Sequence, residues 1–176
     1  TTDDGYQENF ETRRIDALLD ICYETSGKII IWSRFRYDIM KIAQVLSDNF
    51  GESKVAKYFG DTKDDERSEI IDRFQNPNSD LRFFIGNPST AGRGLTLTEA
   101  QTVVYYANDF NLDTRIQSED RCHRIGQNKS VTYIDLISEG TIDEKIVHSL
   151  VNKIDLSAKV LGEEAKEWLQ IKPKKS

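Results

Sequence analysis

Short runs rich in β-branched and aromatic residues alternate with amphipathic stretches along almost the whole chain, and this alternation limits the possible folds more than any other feature. "KIIIWS" at 28–33 is continuously apolar through its middle, as expected of a strand covered on both faces. "KVAKYF" (54–59), "LRFFIGN" (81–87), "TVVYYA" (102–107) and "VTYIDLI" (131–137) repeat the pattern. Between them lie segments with helical spacing. "ETRRIDALLDICYET" (11–25) has apolar residues at 15, 18, 19 and 22 and is ended by Gly27. "YDIMKIAQVLSDNF" (37–50) closes at Gly51, and "DDERSEIIDRFQ" (64–75) stops at "NPNS". "TIDEKIVHSLVNKID" (141–155) and an amphipathic stretch around "EEAKEWLQI" (163–171) follow the last strand. Five strands alternating with helices imply a parallel sheet with right-handed crossovers and helices on both faces. The expectation is one doubly wound α/β domain spanning residues 1–176, with C-terminal helices and with 1–9 and 172–176 flexible. Ligands of such sheets gather at the carboxyl ends of the strands. That singles out the loops after Ser33, Phe59, Asn87, Ala107 and Ile137.

The bulk numbers narrow the functional classes. A chain of 176 residues, 38% hydrophobic and 31% charged, has enough material for one sizeable core. Its longest apolar runs are too short to cross a membrane. No signal peptide opens the chain, which starts at Thr1 rather than methionine and so reads as a piece of something longer. Cys22 and Cys122 are far apart and lack CxxC spacing, which argues against a disulfide framework or structural zinc and for a reducing cytoplasm or nucleus. His123 and His148 have too few candidate co-ligands for a metal site. The net charge of −6 counts against a whole-surface grip on nucleic acid. A local basic strip remains compatible with it, because phosphate contacts depend on local charge.

Several familiar chemistries are missing. There is no GxxxxGK[ST] phosphate loop, no GxSxG elbow and no HExxH helix, and "AGRG" lacks the third glycine of a dinucleotide fingerprint. The paired carboxylates of "EGTIDEK" read as charges favouring a helix start. "QSEDRCHRIGQ" (117–127) is denser. If Asp113 caps a helix that Gly126 ends, Gln117, Arg121 and Arg124 fall at i, i+4 and i+7 on one face. Two guanidiniums on one face repel unless an anion joins them, and arginine's planar fork suits phosphate. Spacing alone fits equally a solvated face on which Glu119 and Asp120 balance the arginines.

The segment "DRCHRIGQNKSVTYIDLISEGTIDEKI" resembles the last motif and its flank in the Swi/Snf-type helicase-like DNA translocases of helicase superfamily two. "KIIIWSRFRYDIMKIAQVL", "YFGDTKDDERSEIIDRFQ" and "GNPSTAGRGLTLTEAQTVVYYANDFN" resemble earlier motifs of the same lobe, in the right order. The resemblance implies a second, RecA-like motor lobe. ATP would lie in a cleft against a first lobe that carries the phosphate loop and the acidic box for Mg2+. Arg121 and Arg124 would reach across as arginine fingers, with Gln117 ordering that face. Gly92 and Gly94 would let backbone approach the nucleotide. Ser33, Arg34, Gly60, Ser89 and Thr90 would contact the backbone of double-stranded DNA. Arg36, Lys57 and Arg93 fit either such contacts or plain solvation.

The chain departs from the family's Gly-Gly-x-Gly-x-Asn-Leu at Ala91 and Thr96, and Phe110 stands where tryptophan is common. Two other readings are a strand-separating RNA or DNA helicase and a nucleic-acid-binding or docking module without activity. "DRCHRIGQ" favours the translocase, since RNA helicase branches more often show "QRxGRxGR".

Overall fold

The computed structural model describes the backbone of residues 3–90, 95–108, 111–122 and 130–161, and within these the side chains from 13 to 153. The apolar run at 28–33 becomes β1 (Lys28–Ser33), the middle strand of the sheet, and all six of its residues are buried. Before it lies α1 (Asp3–Glu24); after it come α2 (Arg36–Phe50), β2 (Val55–Tyr58), α3 (Asp64–Gln75), β3 (Phe83–Gly86), β4 (Ala100–Ala107), α4 (Leu112–Asp120), β5 (Thr132–Asp135) and α5 (Ile142–Leu161). The strands are ordered β2-β3-β1-β4-β5 and every pairing is parallel. This is the doubly wound, RecA-like α/β architecture.

The period-2 geometry of β1 divides the core. Ile30 and Trp32 join Phe74, Phe84, Leu97 and Tyr105 on one face, beneath α3 and Cys122. Ile29 and Ile31 join Leu18, Ile42, Leu46 and Phe83 on the other, beneath α1 and α2. Backbone and ring approach Gly86 closely: a Cβ there would stand 2.7 Å from the Tyr58 carbonyl and 3.1 Å from the Trp32 ring.

Each crossover helix runs back against its strands, so helix C-termini collect at the amino ends of the strands. Two buried or half-buried cations close them. The Lys28 amine donates to the carbonyls of Arg73, Phe74 and Asn76 at the end of α3, at 3.1, 2.7 and 2.7 Å. Arg82 donates to Cys22, Thr25 and Gly27 at the end of α1 and stacks on Phe50 and Phe83. Gly27, at φ +83°, makes the left-handed turn from α1 into β1.

Several boundaries differ from their sequence signals. α1 starts at Asp3, well ahead of Glu11, and β4 starts at Ala100 rather than Thr102. α4 is capped by Asn111, whose side chain accepts from the Thr114 amide, and not by Asp113; it ends at Asp120, short of Gly126. α5 continues past Asp155 to Leu161, while "EEAKEWLQI" and 172–176 lie outside the described residues. Asp143 does more than favour a helix start. It accepts from Arg14 of α1 and from the Ser138 amide, and Arg14 also reaches the Ser138 hydroxyl and lies over the Tyr106 ring. Among the described residues no helix is long and apolar enough to cross a membrane.

Candidate functional site at the carboxyl ends of the strands

β1 hands the chain toward β2 and β4 hands it toward β5, so the connections part between these neighbouring strands. A doubly wound sheet opens its binding crevice at such a point. A small pocket does open there, lined by Arg34, Asn87, Asn108, Thr114, Arg115 and others.

Four of the five residues singled out for DNA contact sit on the surface of this end. Arg34 and Ser89 are exposed, Gly60 is exposed in the turn after β2, and Thr90 is half-buried. Ser33 stands behind them. It is fully buried; its hydroxyl donates to Asp38 at 2.9 Å and accepts from the Phe35 amide at 3.4 Å, so it tethers the start of α2 rather than facing solvent. Asn87, which the motif reading passed over, fastens two loops together. Its side-chain amide donates to the Arg34 carbonyl at 2.9 Å, and its side-chain oxygen accepts from the amide and hydroxyl of Ser89. Arg67 does the same for the turn after β2, donating to the carbonyls of Phe59 and Gly60 with its guanidinium over the Tyr58 ring. Arg36 forms an exposed pair with Asp61, a contact of little energetic weight, and Lys57 is exposed on β2. α2 and α3 begin at Phe35 and Lys63 without side-chain caps, so the positive ends of both helices add to this edge.

α4 carries the dense stretch. Gln117 is exposed, and Arg121 follows at the C-cap with helical dihedrals, φ −73° and ψ −28°, which keeps the i, i+4 relation between them. The Arg121 carbonyl accepts from the Leu97 amide at 2.9 Å. Its side chain is partly buried, and its Nε has no partner among the described residues. Burial pulls its pKa down, while Cys122, Tyr58 and Asp120 pull the other way. One turn earlier, Arg115 is held on all sides by Glu119, Asn108 and Asp135. Burial raises the Glu119 carboxyl, Arg115 pulls it back down, and the neighbouring charges of Asp135 and Asp120 add to the rise. Arg124, Gly92, Gly94, Arg93 and Phe110 lie outside the described residues.

Residues 13–126 match the model of the helicase conserved C-terminal domain. The chain belongs to that family. Its relatives place this helicase C-terminal lobe in the Swi/Snf-type branch. It is 33% identical over 150 residues to the SWI/SNF chromatin-remodeling complex subunit snf22 of Schizosaccharomyces pombe, covering 84% of the chain and 9% of that protein. It is 30% identical over 149 residues to the ISWI chromatin-remodeling complex ATPase ISW2 of Saccharomyces cerevisiae, covering 84% and 13%. The crystal structure of the C-terminal part of the Fun30 ATPase domain superposes with a TM-score of 0.67 at 30% identity, over 78% of this chain and 44% of that one. The lobe thus spans about a tenth of the length of such relatives.

Among the described residues of the lobe, no three His, Cys, Asp or Glu side chains cluster closely enough to hold a metal ion. What it offers a ligand at this edge is positive charge on short, cross-braced loops.

Proposed function

We propose that this lobe supplies half the active site of an ATP-driven motor acting on double-stranded DNA. The observation that carries the reading is the contrast between two arginines of one helix. Every nitrogen of Arg115 is bonded inside the lobe, whereas Arg121 as a whole is only partly buried and its Nε, itself buried, has no partner among the described residues. Arg121, with Arg124, would cross the cleft to ATP held by an N-terminal RecA-like lobe. There a planar, permanently charged guanidinium would neutralise the charge that builds on the transferred phosphoryl oxygens. Gln117 would order this face, and Gly92 and Gly94 would bring backbone close to the nucleotide. Mg2+ would be held mainly by the first lobe, which in this family should carry the acidic box.

On the DNA side, Arg34, Gly60, Ser89 and Thr90 form the contact rim, Ser33 holds it from behind, and Asn87 and Arg67 brace its loops. Contacts of this kind position a duplex without reading its sequence. With a net charge of −6 the grip must be local. The names of the relatives describe work on chromatin, which would place the motor in the nucleus.

The lobe alone should hydrolyse no ATP. Joined to its first lobe, it should show ATP turnover stimulated by duplex DNA. Arg121→Ala and Arg124→Ala should each lower kcat on the order of a thousandfold, the scale of a lost arginine finger, with DNA affinity retained. Normal turnover in both variants would remove the finger assignment. Stimulation by single-stranded RNA but not by duplex DNA would favour the strand-separating helicase reading.

A further inference from the structure

α4 buries an uncommon pair of residues. An amphipathic helix on a sheet ordinarily lays down an apolar stripe, but the fully buried positions of α4 are Arg115 and Ser118. The Arg115 guanidinium lies 3.5 Å from the centre of the Tyr105 ring on β4. Its Nη1 and Nη2 fork onto the two carboxylate oxygens of Asp135 on β5, at 2.6 and 3.2 Å. Nη1 also donates to Asn108 at 3.2 Å, and Nε to Glu119 at 2.5 Å. Asn108 in turn donates to Asp135 at 2.6 Å. Ser118 completes the frame, with its hydroxyl 2.6 Å from that of Tyr105 and donating to the Arg115 carbonyl at 2.7 Å.

A buried ion pair is an expensive way to attach a helix, because both ions must be removed from water and apolar packing would serve as well. It does provide direction. A forked guanidinium–carboxylate contact fixes orientation as well as distance. The tyrosine ring beneath it sets the height of the helix above the sheet, and Glu119 ties the guanidinium to the helix's own next turn. α4 ends one residue before Arg121. We propose that Arg115 is the positioning residue for Arg121: its pair with Asp135 sets the angle at which α4 leaves the sheet, and hence where the Arg121 guanidinium meets phosphate. The proposal rests on the finger role of Arg121. It deepens that reading by assigning the alignment to an internal arginine that touches no ligand.

A misaligned finger weakens an interaction made mainly in the transition state, so kcat should fall while KM for ATP stays nearly constant. The test uses the protein carrying both motor lobes, with Arg115→Lys, Arg115→Asp, Asp135→Arg and the double reversal Arg115→Asp/Asp135→Arg. Duplex-DNA-stimulated ATP turnover and Tm are measured for each. The single reversals should lower kcat on the order of a hundredfold, the scale of a misplacement of about 1 Å, and the double reversal should recover most of that loss. Arg115→Lys keeps the charge but loses the fork. Assayed well below its Tm, it should lose about tenfold in kcat with KM changed by less than about twofold. If the reversals do not fold, Arg115→Lys decides the matter. Wild-type kcat in Arg115→Lys, or a double reversal that regains Tm without turnover, would overturn the positioning role. Arg121→Ala is the control that separates the two readings. If it turns over normally, the finger role fails whatever Arg115 does; if it is inactive while Arg115→Lys is fully active, only the positioning role fails.

Discussion

At the amino ends of the strands, Lys28 and Arg82 are each enclosed by three backbone carbonyls of a helix terminus. At the carboxyl ends, Arg34 is exposed on the loop after β1, beside the starts of α2 and α3, which lack side-chain caps. The residue types are alike and the sheet is the same; the helix termini differ. Carbonyls at one end attract cations and absorb their charge, whereas amides at the other end add to it. A basic residue near the first end is therefore part of the fold; near the second, Arg34 is left to solvent, while Arg67 and Arg115 are held by acceptors other than a helix terminus.

That contrast can be broken from either side. The largest stability effect is expected at Lys28→Met, which leaves three carbonyls of α3 without their charged donor. It should cost about 2–3 kcal/mol in denaturant unfolding, the range for hydrogen bonds to charged groups, with kcat per folded molecule unchanged. A loss confined to turnover would place Lys28 in the motor rather than in the fold. Arg82→Ala should cost about 1.5–2 kcal/mol, less because its site is more open to water. Arg34→Ala should shift stability by less than about 0.5 kcal/mol. It should instead weaken duplex binding and reduce the slope of log affinity against log salt by about one. An unchanged salt slope would take Arg34 off the DNA rim.

The smallest effect is a slope rather than a step. Burial raises the Glu119 carboxyl in the folded lobe. Its favourable contribution is therefore present below the unfolded carboxylate pKa and is lost as pH rises through the folded value. Relative to Glu119→Gln, the wild type should be most stable in acid and lose that advantage toward neutral pH. A gap that does not change with pH would mean that Asp135 and Glu119 share the guanidinium without strain.

Elements with a strong local period were legible in the sequence: β1 and α3 occupy the ranges their residues suggest, and parallel pairing follows from the alternation, though the strand order does not. Competition between near neighbours was harder to read. Asn111 and Asp113 are both plausible caps, and only the direction of the Thr114 amide selects Asn111. Ser33 looks like a loop hydroxyl until Asp38 takes it. Contacts between distant elements left almost no trace. Arg115 and Glu119 have the spacing of a surface helix pair, and nothing local shows that Asp135, across the turn into β5, makes that pair internal. The stretch 117–127 was recognisable by its motif, but its support was not.

The contact of Arg14 with Asp143 also bears on how such a lobe would carry load. It joins the helix that leads into the central strand to the helix that follows the last one. Tension between α1 and α5 would then fall on a side-chain strap rather than on the strands. In a machine that cycles under load, such a strap would let the lobe swing as one stiff body while its hydrogen-bonded ladder stays at rest.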